Sequence, residues 1–258
     1  MRLAHVSDIH FGGENAQAVA ALGAGLRQAP VDLTVITGDL TRFAQVKELQ
    51  DAAAWLATLP GPRLVVPGNH DAPYLAWAER VFTPFRRFEA IIGPARAQNF
   101  LNEAVAVWGV NTARGAQPRL NWSKGQISNG QTQEAAAWLA QHPRGRLRIL
   151  ACHHPLSEMI GGPMTARVWG GARAARAFAE AGVDLILSGH IHAPFALPLP
   201  FADRKTYAVG AGTLSLRERG VRPSYNLIEA DEAAVRVAAM AWTGSHFEAE
   251  RTWSLDRR

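Results

Sequence analysis

The chain has 258 residues, of which 48% are hydrophobic and 19% are charged. This balance is typical of a folded globular protein and excludes a disordered one. No apolar run approaches the roughly 18 residues that a membrane helix needs, and the N-terminus is not typical of a secretory leader. One cysteine, Cys152, excludes an internal disulfide and a cysteine-rich zinc module. The sequence therefore predicts a cytoplasmic protein with no membrane partner.

The net charge of +5 comes almost wholly from arginine. A basic chain can bind nucleic acid, but these arginines are scattered and no block of five like charges occurs. We therefore expect no dedicated nucleic-acid surface. A modestly positive surface also suits a small anionic substrate.

Strands and helices alternate in the first part of the predicted fold. The apolar run 31–39 is typical of a strand buried on both faces. Residues 44–59 place Val46 and Leu49 on one helical face, and the prolines of 60–62 end that helix. In chain order we predict a strand over 2–8, a helix over 15–29, strands over 31–39 and 63–67 around the helix 44–59, a helix over 74–92 broken near Pro84, a strand over 104–112, a helix beginning near Thr132, a strand over 146–154, a helix over 171–182 and a strand over 183–192.

The pattern changes at Phe195. Residues 205–216, 224–231 and 234–253 are predicted to be strands without intervening helices. Since the first part alternates and the last part is mostly strand, we expect two sheets packed face to face with helices outside. No internal repeat or low-complexity linker interrupts the chain, so residues 1–258 are expected to form a single domain.

Polar clusters stand where five of the predicted strands end. They are Asp8-Ile9-His10, Gly38-Asp39, Gly68-Asn69-His70-Asp71, His153-His154-Pro155 and Gly189-His190-Ile191-His192. In an open α/β sheet, ligand sites lie beyond the carboxyl ends of the strands. A single histidine there carries little information, but five clusters at successive ends are hard to explain as satisfied core polar groups.

Imidazole and carboxylate groups together suit a pair of divalent metals such as Zn, Fe, Mn or Ni. Asp8 and His10 share one side of an extended segment because side chains alternate with period two. Asp39 can give one carboxylate oxygen to each metal. The neutral carbonyl oxygen of Asn69 can complete a coordination shell without further negative charge. Two divalent ions with Asp8, Asp39 and a bridging hydroxide then leave the centre about one net positive charge to attract phosphate.

The ordered motifs D-x-H, GD, GNHD, H-x-P and G-H-x-H, from Asp8 to His192, resemble those of the calcineurin-like metallophosphoesterase superfamily. The strand over 224–231 is similar to one in its small bacterial class III cyclic-nucleotide phosphodiesterase-like branch. The resemblance implies a four-layer αββα sandwich of two mixed sheets flanked by helices. It also implies a dinuclear centre of two divalent metal ions, Mn, Fe or Zn, in which a bridging hydroxide attacks phosphorus.

The resemblance assigns roles to individual residues. His70 is expected to stabilise or protonate the leaving oxygen, with Asp71 orienting its imidazole. One metal would be held by Asp8, His10, Asp39 and His192, and the other by Asp39, Asn69, His153 and His190.

Three more residues are candidate substrate contacts, namely His154, Arg167 and Trp169. The last two belong to a long glycine-containing loop after the His153 cluster, which could form a rim of the pocket. The sequence equally allows a solvent loop in which Trp169 covers the core, and His154 could simply pack. His5 and Cys152 are expected to be packed core residues.

We expect a small phosphodiester as substrate, of the cyclic-nucleotide or glycerophosphodiester type. A UDP-2,3-diacylglucosamine pyrophosphatase is the alternative, but it needs a large apolar lid, and the only candidate, residues 76–92, is short. A nuclease ranks third. A non-catalytic scaffold, as in the retromer subunit of this fold, would have lost ligands that are all present here. Pairing of edge strands or of the late hairpin in a homodimer stays open.

Overall fold

The computed structural model describes residues 1–143, 145–157, 168–217 and 219–258, and two six-stranded mixed sheets form its centre. The strands are β1 (Arg2–Val6), β2 (Leu33–Thr37), β3 (Arg63–Val66), β4 (Gln98–Leu101), β5 (Val105–Gly109), β6 (Leu147–Ala151), β7 (Leu185–Ser188), β8 (Phe195–Pro198), β9 (Tyr207–Gly210), β10 (Ser224–Ala230), β11 (Ala234–Trp242) and β12 (Phe247–Asp256). The helices are α1 (Ala16–Gln28), α2 (Val46–Thr58), α3 (Trp77–Phe82), α4 (Arg86–Ile91), α5 (Asn129–Ala140) and α6 (Gly171–Glu180).

The first sheet has the order β12-β11-β10-β1-β2-β3, and the second has the order β4-β5-β6-β7-β9-β8. Strands β1, β2 and β3 are parallel, as are β5, β6, β7 and β9. Strand β10 pairs antiparallel with β1, so a strand from the last part of the sequence lies beside the first strand in the middle of the first sheet. The carboxyl ends of the parallel strands therefore collect the polar clusters at one edge of each sheet.

The two sheets pack face to face through one apolar layer. Leu33 and Val35 of β2 meet the side chains of the second sheet, including Val107 of β5 and Ile149 of β6. The outer face of the first sheet packs on α1, α2 and α4, and that of the second sheet packs on α5 and α6. The predicted αββα sandwich is confirmed.

Local signals explain where the helices begin. The Asn15 side chain accepts a hydrogen bond from the Ala18 N–H at the start of α1. Helix α5 begins three residues before Thr132, the predicted start, because Ser128 and Gln131 form a reciprocal capping box. In the described part of the chain, no helix is both long and apolar enough to cross a membrane.

Candidate metal centre

The polar clusters of both sheets converge on one place. Ligand atoms within 4.8 Å of one another join Asp8, His10 and His192 in one group, and Asp8, Asp39 and His153 in a second. Two further groups at the same spacing are His10 with Asp39 and His70, and His153 with His154 and His190. Shared members connect all four groups into one cluster at the ends of β1, β2, β3, β6 and β7.

The first predicted ligand set surrounds His10. Its Nε2 lies 3.8 Å from Asp8 Oδ1, 3.9 Å from Asp39 Oδ2 and 3.4 Å from the Nε2 of His192. His192 Nε2 also lies 3.2 Å from Asp8 Oδ1. Two imidazole nitrogens and two carboxylate oxygens thus face a common point, which is the donor set that a first-row divalent cation takes.

The second predicted ligand set surrounds His153, whose Nε2 lies 3.3 Å from Asp39 Oδ2. The ring of His190 lies 5.1 Å from that of His153, centroid to centroid. Among the described residues, Asp8 Oδ1, Asn69 Oδ1 and His153 Nε2 are buried without a hydrogen-bond partner. Buried polar atoms are seldom left unpaired, and a pair of cations would satisfy all three. The residues therefore fit a dinuclear divalent metal centre.

Backbone carbonyls orient the imidazoles from outside. The Nδ1 atoms of His10, His153 and His192 lie 3.3, 2.7 and 3.2 Å from the carbonyl oxygens of Thr41, Thr37 and Arg217 respectively. Each carbonyl accepts the Nδ1–H, so it selects the tautomer that turns the Nε2 lone pair inward. No side-chain pattern in the sequence could reveal these carbonyls.

The backbone at the cluster is unusual. Residues with left-handed φ angles, between 50 and 68°, include Asp8, His10, Asp39, His190 and His192. Non-glycine residues adopt this region rarely and at a cost of about 1–3 kcal/mol each. Such strain concentrates at functional sites, and here it turns five candidate ligands toward one point.

Two glycines allow the backbone to come close to the carboxylates. A Cβ on Gly68 would lie 2.1 Å from Asp39 Oδ1, and one on Gly189 would lie 2.4 Å from Asp8 Oδ2. Any side chain at either position would displace a carboxylate. The glycines of the GNHD and GHxH motifs are therefore part of the site geometry.

Asp39, His190 and His10 favour the protonation states that bind metal, and His153 favours its protonated form. Burial opposes ionisation of Asp39, but the neighbouring His153 and His70 outweigh it and hold the pKa of this carboxyl well below its usual value. Burial lowers the pKa of His190 to about 3 and that of His10 to about 4. The pKa of His153 is raised to about 9, since Asp39 and Asp8 overcome the effect of burial. A cation would take the place of that proton.

His70 stands at the open side of the cluster and is partly exposed. Its backbone N–H donates to Asp39 Oδ1 at 2.8 Å, and its Nδ1 lies 2.7 Å from the carbonyl oxygen of Arg42. The ring stacks on Tyr74 at 5.6 Å and an interplanar angle of 10°. Tyr74 was not singled out from the sequence, although an aromatic residue four positions after a catalytic histidine could have marked it.

The prediction that Asp71 orients the His70 imidazole is wrong. The Asp71 carboxylate instead accepts hydrogen bonds from the backbone N–H groups of Leu40, Thr41 and Gly68 and from the Thr41 hydroxyl, at 2.9 to 3.3 Å. Burial and the nearby Asp39 raise the pKa of Asp71 to about 6. Asp71 thus connects the loop after β2 to the loop after β3 by hydrogen bonds. The Arg42 carbonyl, and not Asp71, contacts the His70 imidazole and orients it.

The predicted substrate contacts have different outcomes. His154 is fully buried, and its ring nitrogens lie 2.9 Å from Thr112 Oγ1 and 2.8 Å from the carbonyl oxygen of Ser123. With both nitrogens engaged it packs against the cluster, which supports the alternative to substrate binding that the sequence left open. Trp169 is 41% exposed, with Arg119 4.4 Å above its ring, and its contact with substrate stays a prediction. Arg167 lies outside the described residues.

The family model of the calcineurin-like phosphoesterases matches residues 1–194. The chain therefore belongs to this family, which is a class of hydrolases. The fold and the cluster of aspartate and histidine residues described above agree with this assignment. The match spans every candidate ligand.

Among curated proteins, the chain is similar to the glycerophosphodiester phosphodiesterase GpdQ of Enterobacter lignolyticus, with 38% identity over 84 residues. That alignment covers 28% of this chain and only 30% of the length of the relative.

Solved structures share the whole fold at low identity. A dimetal phosphatase from Danio rerio superposes with a TM-score of 0.72 and 11% identity, covering 100% of this chain and 99% of the other. The purple acid phosphatase PPD1 from yellow lupin seeds gives a TM-score of 0.73 and 11% identity, covering 100% of this chain and 54% of the other. At this identity the two structures support the fold alone.

Proposed function

We propose that the protein is a dinuclear metal-dependent phosphodiesterase that hydrolyses a small phosphodiester of the glycerophosphodiester or cyclic-nucleotide type. The observation that carries the proposal is the convergence of carboxylate and imidazole donors from both sheets on one cluster, whose member His70 is partly exposed. The local similarity to a glycerophosphodiester phosphodiesterase supports the choice of a diester.

The donor distances support most of the proposed ligand set, and Asn69 is included because its Oδ1 is buried without a hydrogen-bond partner. Asp8, His10 and His192 would hold one ion, and His153, His190 and Asn69 the other. Asp39 would serve both, because its Oδ2 lies 3.9 Å from His10 Nε2 and 3.3 Å from His153 Nε2. When bound, the two ions supply Lewis acidity toward the phosphoryl group and toward water.

The charge of the protein ligands is low for a site with two divalent ions. Asp8 and Asp39 are the carboxylates of the proposed set, and Asn69 contributes a neutral oxygen. The loaded site therefore keeps a positive charge that attracts a phosphodiester anion and stabilises the negative charge that develops during attack.

His70 is proposed to protonate the leaving oxygen. The Arg42 carbonyl accepts the Nδ1–H, and this leaves Nε2 as the atom that faces substrate. Stacking on Tyr74 and the backbone hydrogen bond to Asp39 hold the ring beside His10, at a centroid distance of 4.9 Å. A proton donor held next to the reacting group typically contributes about 10²–10⁴-fold to the rate.

A lipid-linked pyrophosphate is the second candidate substrate, as in the UDP-2,3-diacylglucosamine pyrophosphatases. Leu75, Trp77 and Phe82 are 74, 72 and 77% exposed, in the segment that directly follows Tyr74. Large apolar side chains exposed together favour contact with an apolar group. The segment contains only the short helices α3 and α4, so it offers a limited surface for acyl chains.

Other expectations stay proposals. Residues 195–258 lie beyond the family match, yet they supply β8 to β12 to both sheets, which supports treating the chain as one domain. The cytoplasmic location, the lack of a nucleic-acid surface and the homodimer stay predictions.

A substrate panel tests the proposal. Purified protein loaded with Mn²⁺, Fe²⁺, Zn²⁺ or Ni²⁺ would be assayed on bis(p-nitrophenyl) phosphate, p-nitrophenyl phosphate, 2′,3′- and 3′,5′-cyclic nucleotides, glycerophosphodiesters and UDP-2,3-diacylglucosamine. We expect the highest kcat/KM on a small diester, and Asp39→Asn protein prepared in parallel controls for contaminating activity. A preference for the UDP lipid would favour the second candidate, and no metal-dependent turnover on any substrate would refute both.

A further inference from the structure

Arg80 is a buried cation next to the proposed site. It belongs to α3, its side chain is only 6% exposed, and no carboxylate among the described residues lies within ion-pair distance of it. A buried guanidinium without an acidic partner is costly unless its donors are satisfied. The sequence offers no sign of this, since Arg80 looks like an ordinary helix arginine.

Backbone carbonyl groups satisfy Arg80. Its Nη2 donates to the carbonyl oxygen of Asn69 at 3.3 Å, and its Nη1 donates to those of Ala72 at 2.8 Å and Pro73 at 3.5 Å. Its Nε donates to the carbonyl oxygen of Gly115 at 3.0 Å. One planar group thus ties both ends of the turn 69–73 to the loop that contains Gly115, a geometry that lysine could not reproduce.

Arg80 also contacts the aromatic stack beside His70. Its Cζ lies 5.3 Å from the centre of the Tyr74 ring, which stacks on His70 at 5.6 Å. The same side chain therefore supports the backbone of Asn69 and the ring that holds His70. The hydrogen bonds of Arg80 go to backbone carbonyls and not to the side chain of Asn69 or His70. Any effect of Arg80 on the site therefore acts through the position of these residues.

A positive charge near the site opposes the binding of cations. The hydrogen bonds of Arg80 show what it contributes against this repulsion. The Asn69 Oδ1 is buried without a hydrogen-bond partner, and the backbone carbonyl of the same residue accepts from Arg80. Residues that orient metal ligands from outside commonly change metal affinity by about 10–100-fold.

We propose that Arg80 is a positioning residue that sets the Asn69 side chain for the second metal ion, an inference that rests on the proposed function. In the proposed arrangement Asn69 belongs to the second ion alone. Loss of the Arg80 hydrogen bonds should therefore weaken the second ion and leave the first nearly unchanged. A residue that merely stabilises the fold would weaken both ions alike or neither.

Titration of metal-stripped protein with Mn²⁺ tests this proposal, with binding measured by calorimetry and by electron paramagnetic resonance. We expect the parent to bind two ions and Arg80→Met to bind the second about 10–100-fold more weakly, with the first changed less than about threefold. Arg80→Lys should lie between them. Arg87→Met is the matched control, because Arg87 pairs with Glu79 in the same region and does not contact the turn 69–73.

Two results would overturn the proposal. One is an Arg80→Met protein that binds both ions as the parent does, and the other is an equal loss at both sites. Should Arg80→Met fail to fold by circular dichroism, Arg80→Lys decides by the same criterion. A parent protein that does not bind two Mn²⁺ ions would instead refute the dinuclear centre itself, so the two failures can be told apart.

Discussion

The two sheets contribute unlike chemistry to the centre. The strand ends of the first sheet carry the carboxylates and the amide, Asp8, Asp39 and Asn69, together with the imidazoles of His10 and of the partly exposed His70. The strand ends of the second sheet carry imidazoles, His153, His190 and His192. The acidic ligands and the proposed proton donor therefore belong to the first sheet, and the second sheet contributes imidazoles.

Because the two sheets contribute different donors, neither sheet forms the proposed metal site by itself. Contacts across the sheets hold the halves together, since the His190 N–H donates to Asp8 Oδ2 at 2.8 Å and His153 Nδ1 lies 2.7 Å from the carbonyl oxygen of Thr37. The apolar layer between the sheets keeps these contacts in place. The first sheet supplies Asp39, the one ligand proposed to serve both ions, whereas each proposed ligand of the second sheet serves a single ion.

The largest expected effect is that of Asp39→Asn. Because one carboxylate serves both ions, we expect each to bind more than about 10²-fold more weakly, and kcat/KM to fall by about 10⁴-fold. His190→Ala, on the other sheet, should weaken one ion only. Metal content by mass spectrometry after gel filtration, together with turnover of the best diester, measures both.

Asp51→Asn is the control for this pair, because Asp51 lies on the exposed face of α2 and pairs with Lys47. An Asp39→Asn protein that retains two tightly bound ions would show that Asp39 does not bridge. Equal metal loss in Asp39→Asn and His190→Ala would remove the distinction between the two sheets.

His70→Ala should have the next largest effect. The variant should keep both ions, because His70 is not in the proposed ligand set, while kcat falls by about 10²–10⁴-fold and KM changes little. The fall in kcat should be largest for substrates with poor leaving groups, since the departure of these groups depends most on a proton from His70. Steady-state kinetics on diesters with graded leaving-group pKa values measures this.

His246→Ala controls for the loss of an imidazole, because His246 is exposed on the turn between β11 and β12. Release of a metal ion from the His70→Ala protein would make His70 a ligand, which its group with His10 and Asp39 also allows geometrically.

Asn69→Asp should have the smallest effect on kcat/KM, and it tests the proposed net charge of the metal centre. A third carboxylate on the first sheet would strengthen metal binding, but it would cancel the positive charge that attracts the phosphodiester. We expect both ions to stay bound and kcat/KM to fall about tenfold, the effect of about 1.4 kcal/mol on the barrier. Mn²⁺ titration and kinetics at two ionic strengths measure the two parts separately. An increase in kcat/KM would contradict the proposed charge balance.

Much of the fold could be predicted from the sequence, because buried parallel strands and capped helices leave strong local signals. The apolar run of β2 and the prolines after α2 are examples. The edge strands β4 and β8 were missed, since each has only four residues and no clear alternation. Val46, predicted to share a helical face with Leu49, is 47% exposed while Leu49 is buried. Glu48 is also buried, and its carboxylate accepts hydrogen bonds from the N–H groups of Phe43 and Gln45 at the start of α2.

The convergence of the strand-end clusters was also predictable, because parallel strands deliver their carboxyl ends to one edge. The contacts that surround the cluster could not be predicted from the sequence. The role of Asp71 depends on backbone N–H groups about 30 residues away, and Arg80 acts on carbonyl oxygens that carry no residue identity. The left-handed backbone at Asp8 and His190 likewise follows from tertiary packing and not from the preference of either residue.

The central place of β1 in its sheet has a consequence for biosynthesis. Ala4 pairs with Thr34 on one side, a partner 30 positions later in the chain, and with Leu227 on the other, a partner 223 positions later. A ribosome must therefore translate more than 200 further residues before this strand gains its second neighbour, and such long-range pairing forms slowly. Asp8 lies two residues after β1, so the proposed centre would gain its final geometry only after β10 has been made and has paired.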